Sequence, residues 1–215
     1  MTERAPPTPQ EGPVAGPPAG PFPAPPPAPA AGRTLVRYAV GFYAVVLIFA
    51  VGYAAFSSGL KTLFGERAPE PGQLLAALAL GLGIVGLCHV GDRAFPAVRR
   101  AGDSFTEILG PYTYGQALLL ALASGVGEEV LFRGALWLHL GLVGSSLLFG
   151  LVHVLPKRSL LAYPIFAVAV GVILGLLRQG SGSVVPPILT HVTVNALNLV
   201  WLEHRRRTRA GAVPS

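Results

Sequence analysis

Long apolar runs alternate with short polar breaks along this chain, and the runs have the length of membrane crossings. Residues 34–58 read TLVRYAVGFYAVVLIFAVGYAAFSS, more than the ~20 apolar residues that carry a helix across a ~30 Å hydrocarbon core. A polar stretch with Lys61, Glu66, Arg67 and two prolines separates this run from a second, at 72–91. Residues 92–111 scatter Arg99, Arg100, Asp103 and Glu107 among a few apolar positions, the pattern of a loop or of a helix lying in the interface. From 112 to 140 the chain is apolar again except for Glu128, Glu129, Arg133 and His139, which predicts one long helix, with Gly125 and Gly127 as its loosening points. Three further runs follow at about 142–155, 160–177 and 184–202. Because backbone in lipid has no water to bond to, such runs become helices. The predicted fold is all-α: a polytopic transmembrane helix bundle of about six spans over residues 34–204.

Composition supports this. Of the 215 residues, 52% are hydrophobic and 12% charged, against about 25% charged in ordinary soluble domains. Residues 1–33 hold 12 of the 21 prolines, interleaved with Ala and Gly, and are expected to be a disordered, polyproline-like tail. Residues 205–215 read as a basic C-terminal tail. The net charge of +6 does not describe a nucleic-acid surface, because Lys and Arg cluster between apolar runs rather than along one face. They read as topology signals. With both termini in the cytoplasm, twelve Lys and Arg lie inside, only Lys61, Arg67 and Arg178 lie outside, and Arg133 is left within the membrane, in keeping with the positive-inside bias. Trp137 and Trp201 then fall near opposite interfaces. The single cysteine, Cys88, excludes an intramolecular disulfide framework.

The polar residues inside the apolar runs are the candidate chemistry, since a carboxylate at the bilayer centre costs roughly 2.5–3.5 kcal/mol on insertion scales. Glu129 and Arg133 are four apart on one helix face and are expected to form an ion pair. Two adjacent carboxylates resist double ionisation. If Arg133 holds Glu129 as the anion, Glu128 becomes the group able to take and return a proton near neutral pH, as a general base and acid must. His153 and the pair His191 and Asn195 lie in later runs. The last two are one turn apart on one face, so both can present donors to a developing oxyanion. At ~1.5 Å of rise per residue, Glu128 lies roughly 24 Å from the inner surface, and His191 and His153 roughly 10 and 16 Å below the outer one. The three can therefore share a layer, in the outer half of the bilayer.

Three segments stand in order on separate runs: EEVLFR at 128–133, FGLVH at 149–153 and HVTVN at 191–195. This resembles the CAAX-protease and bacteriocin-processing proteins, the CPBP or Abi family of intramembrane proteases, over about residues 112–202. The resemblance implies an endopeptidase in the cell membrane, acting near a membrane-anchored or lipidated protein terminus, in which Glu128 with His153 activates water. It implies that His191 and Asn195 stabilise the oxyanion, and that Glu129, Arg133 and Phe149 support them. No cofactor is required by this glutamic-type reading. A divalent metal held by Glu128, His153 and His191 is the alternative, although no HExxH segment supplies two ligands beside a base. The expected partners are a membrane-anchored protein or peptide and the surrounding lipids, with no nucleic acid. A proton-coupled transporter and a non-catalytic immunity or scaffold protein are the rival readings. Family substrates include prenylated C-terminal tails, and the depth count favours exported, C-terminally anchored proteins instead.

Overall fold

The computed structural model describes the backbone of residues 29–57 and 59–211, and the side chains of 34–57 and 59–209. Eight α-helices account for most of these residues: α1 (Pro29–Ser57), α2 (Leu60–Phe64), α3 (Pro71–Ala94), α4 (Pro96–Leu109), α5 (Tyr114–Glu129), α6 (Trp137–Leu151), α7 (Tyr163–Ser181) and α8 (Val185–Gly211). Local sequence fixes several boundaries. Pro71 opens α3, where its missing N–H costs nothing, and the Glu70 N–H donates to the Gln73 side chain at 2.9 Å. Thr113 and Gln116 cap α5 reciprocally, at 2.8 and 3.2 Å.

Neighbour contacts define the path. Val36 packs with Tyr112 and Ala117, and further along Ala50 and Ala54 pack with Val130 and Ala135, so α1 and α5 run parallel. Thr190 donates to the Ala77 carbonyl at 2.9 Å and Trp201 lies against His89, so α3 and α8 run parallel. The Tyr112 hydroxyl donates to the Leu199 carbonyl at 2.9 Å and Gly125 abuts Val192, which sets α5 antiparallel to α8. Gly150 meets Val168 while Leu142 meets Gly175, so α6 and α7 form an antiparallel hairpin. The chain thus passes six times between two ends of the bundle, and α1 begins where α8 finishes. Five of these passes are long and apolar enough to cross a membrane, with mean hydropathy of 1.3 to 2.5, and the sixth, α6, is shorter. Large apolar side chains face outward, including Phe42, Ile48, Phe56, Leu75 and Ile165. This is a membrane protein, and that outer surface is its lipid-facing one.

The two ends differ. At one, here the basic end, lie the exposed Arg93, Arg99, Arg100 and Arg158 and the last turns of α8. Amphipathic α4 lies there, where Arg205 of α8 donates both to Asp103 of α4 (2.7 Å) and to Asp92 of α3 (2.5 Å). It also meets the α6–α7 connection, through the Ser104 and Ser159 hydroxyls at 2.6 Å and the Lys157–Glu107 ion pair. Trp201 is near this end and Trp137 near the other. At the opposite end Leu63 of α2 is buried among Ala50, Ala54, Val130 and Ala135, and backbone bonds of 3.1 Å tie Val184 to Phe64 and Glu66 to Gly182. That end is therefore covered.

Several sequence expectations change. Residues 112–140 do not form one helix: α5 stops at Glu129, a π-helical segment (Val130–Ala135) follows, and α6 starts at Trp137, with Gly141 at φ 57 inside it. The break comes after the acid pair, and neither Gly125 nor Gly127 interrupts α5. Arg178 is no loop charge; it is buried in α7 and donates to the Arg133 carbonyl at 2.9 Å. The segment read as a basic tail continues α8 to Gly211, because Glu203 pairs with Arg206 and Arg207 at 2.7 Å. Helix α1 begins at Pro29, within the segment read as a disordered tail; the rest of that segment lies outside the described residues.

Candidate active site

Two close helix crossings build the site. A Cβ on Gly125 would lie 2.6 Å from Val192 of α8, and one on Gly127 would lie 3.3 Å from Tyr43 of α1. Glycine at these positions lets both neighbours approach the last turn of α5. The π-helical segment begins directly afterwards, an irregularity common at functional sites.

Glu129 and Arg133 are fully buried, and Arg133 Nη1 donates to Glu129 Oε1 at 2.9 Å. Arg133 Nη2 donates to the Gly171 carbonyl of α7 at 2.8 Å, and the guanidinium lies 4.6 Å from the Phe149 ring centroid. One cation therefore joins α5, α6 and α7. His191 Nδ1 stands 2.8 Å from the same Glu129 oxygen. Glu129 is thus held by Arg133 and in turn orients His191.

Glu128 uses its two oxygens differently. Oε1 accepts from the Tyr43 hydroxyl at 2.7 Å. Oε2 has no hydrogen-bond partner among the described residues and faces His153 Nε2 at 3.7 Å and His191 Nε2 at 3.9 Å. His153 Nδ1 lies 2.6 Å from the Phe149 carbonyl, which can only accept, so Nδ1 carries the hydrogen and Nε2 of the neutral ring is an acceptor. The same logic applies to His191, whose Nδ1 faces a carboxylate. Three acceptors therefore converge on one point, an arrangement satisfied by an added proton or by a water that donates to two of them.

Asn195, one turn beyond His191, donates through Nδ2 to Ser124 Oγ at 3.0 Å. It lines a cavity of about 50 Å³ with His153, His191, Tyr163, Phe166 and Val194, among others, room for a few waters. Glu128, His153, His191 and Asn195 stand together, with Glu129, Arg133 and Phe149 packed behind them. Sequence reasoning missed Tyr43, Ser124 and Tyr163, whose ring is 5.6 Å from His153; one Tyr or Ser in an apolar run carries no signal of its own. Glu128, His153 and His191 are the donor set a metal would use, yet no three His, Cys, Asp or Glu among the described residues form a group arranged to hold one.

Comparison with known proteins bears on this segment. Residues 110–197 match the family model described as Type II CAAX prenyl endopeptidase Rce1-like, consistent with the CPBP resemblance of the three motifs. The chain is 32% identical over 94 residues to the Bacillus subtilis (strain 168) protein YpbD, described as uncharacterized. That alignment covers 43% of this chain and 49% of YpbD, so the chain spans about half the length of that relative. No solved structure matches the chain.

Proposed function

We propose that this membrane protein, whose residues 110–197 carry the Rce1-like segment, is an intramembrane endopeptidase of glutamic type. The observation that carries the reading is Glu128 Oε2, buried without a hydrogen-bond partner among the described residues and facing His153 Nε2 at 3.7 Å, with Tyr43 and Phe149 fixing the far side of each group. A water set between them donates one hydrogen to each and turns a lone pair toward a peptide carbonyl. Glu128 takes the proton as the water oxygen bonds to carbon, then passes it to the departing amide nitrogen. Asn195 has one Nδ2 hydrogen committed to Ser124, and the other is available to the oxyanion. His191 Nε2, an acceptor in the neutral ring, donates there only after taking up a proton, while its Nδ1 stays held by Glu129 at 2.8 Å.

By the positive-inside bias the basic end faces the cytoplasm, with both termini, and the protein resides in the cell membrane. The site lies about 21 Å along α5 from Tyr114 but about 9 Å along α8 from Val185, nearer the covered end. We place the way in at the basic end, on the ground that the cavity lining includes Tyr163 and Phe166 at the start of α7 and that the α6–α7 connection begins beside His153. This favours a scissile bond presented from the cytoplasmic side, close to a membrane anchor or lipid. This reading departs from the preference for exported substrates drawn from depth alone.

Orientation is tested with single cysteines in a Cys88→Ala background. Ala68→Cys, at the covered end, is expected to react with a membrane-impermeant thiol reagent in intact cells, and Arg100→Cys, on α4, only after permeabilisation. The reverse pattern would overturn the orientation and the side of attack. The activity is tested by proteomics of membrane and secreted fractions from cells carrying wild-type or Glu128→Gln protein. Precursors with uncut termini should accumulate with the variant; identical fractions would favour a scaffold. Loss of cleavage on chelation, restored by one added divalent metal, would replace the glutamic mechanism with a metal-assisted one.

A further inference from the structure

The first helix lies outside the 110–197 segment, yet it sends the Tyr43 hydroxyl to Glu128 Oε1 at 2.7 Å. The two oxygens of a glutamate are chemically equivalent until something distinguishes them. Here the distinction comes from α1, at the point where Gly127 allows the Tyr43 backbone to approach α5. Glu128 is only 9% exposed, so bulk water does not compete for Oε1.

We infer that Tyr43 is a positioning residue for Glu128: by occupying Oε1, it confines the transferred proton to Oε2, the oxygen that faces His153 and His191. This rests on Glu128 being the general base. An ionised carboxylate can only accept, so the phenol must donate to it. When Glu128 then takes a proton from water, the phenol hydrogen bond favours Oε1 as the carbonyl oxygen of the acid, and the new O–H forms on Oε2. The proton is therefore stored beside the cavity, where the departing amide nitrogen will need it. Without the phenol the carboxyl group can rotate and place its proton toward α1, out of reach of substrate. The reacting atoms would then stand in an unproductive arrangement although substrate binding is unchanged, so the cost falls on kcat rather than KM. It follows that α1, which the three motifs do not include, is a working part of the site.

The test uses the full-length protein in proteoliposomes with a membrane-anchored peptide substrate. Tyr43→Phe is expected to lower kcat roughly 10- to 100-fold, the scale of one hydrogen bond to a charged group, with KM within about twofold of wild type. Yield and thermal midpoint in detergent should match wild type. Phe42→Leu, which alters the neighbouring ring at 5.3 Å and leaves the phenol alone, should keep kcat within about twofold. The double variant Tyr43→Phe/Glu128→Gln should be no slower than Glu128→Gln alone, because the phenol acts only through that carboxylate. The inference is overturned if Tyr43→Phe retains wild-type kcat, if its loss follows loss of folded protein, if Phe42→Leu loses as much, or if the two substitutions multiply. Activity surviving in Glu128→Gln by itself would overturn the proposed function instead.

Discussion

Glu128→Gln and His153→Ala are each expected to lower peptide cleavage by about 10²- to 10⁴-fold, the range for loss of a general base, while both variants still insert and accumulate. Gln is nearly isosteric with Glu, and its carbonyl can still accept from Tyr43, so the α1–α5 contact survives. What disappears is the capacity of Oε2 to take a proton. His153 follows the end of α6 and is half-buried, and its Nδ1 meets the Phe149 carbonyl; truncation there removes a ring contact with Tyr163 of α7 but none of the hydrogen bonds that join the long helices. Single-turnover cleavage in proteoliposomes, normalised to folded protein, measures both. Turnover near the wild-type rate by either variant would end the assignment of Glu128 and His153 as the pair that activates water.

Arg133→Ala should fail in a different way. Its guanidinium is fully buried and bonds Glu129 and the Gly171 carbonyl at 2.9 and 2.8 Å. Removing one partner of such a pair leaves an uncompensated charge, typically at a cost of 3–5 kcal/mol. Low abundance and a lowered thermal midpoint in detergent should therefore precede any kinetic defect. Glu129→Gln/Arg133→Met, which removes both charges, should recover much of the abundance. It should still cleave poorly, because His191 Nδ1 then faces an amide instead of the carboxylate that now holds it at 2.8 Å. Equal stability of Arg133→Ala and wild type would show that the pair does not hold the bundle together.

The sequence made the helices legible because lipid leaves the backbone no other solution, and it made Glu128, His153 and His191 conspicuous because ionisable groups are rare in such surroundings. The four-residue spacings of Glu129 with Arg133 and of His191 with Asn195 also showed which groups share a face. Hydrogen-bond register was not legible. The shift to π-helical pairing at Val130 occurs where α1, α2 and α6 pack on that turn, and the apolar pattern of the sequence does not signal it. Leu63 looked like one apolar position in a polar break, because a five-residue helix is too short to show a period. Tyr43 was hidden for a related reason. An aromatic residue in an apolar run reads as lipid-facing filler until the helix crossing at Gly127 shows what its hydroxyl can reach.

Helix α6 has 15 residues and bends at Gly141; even a straight helix of that length would rise only about 22 Å, several ångströms short of a ~30 Å hydrocarbon core. A bilayer meeting so short a wall thins beside it, at a cost of fractions of a kcal/mol per Å of mismatch. Acyl chains are expected to compress where α6 ends and His153 begins, which would draw headgroups and water toward the cavity. The thickness of the surrounding membrane thus becomes a control on hydration of the site, and lipids with shorter chains relieve the mismatch that longer chains impose.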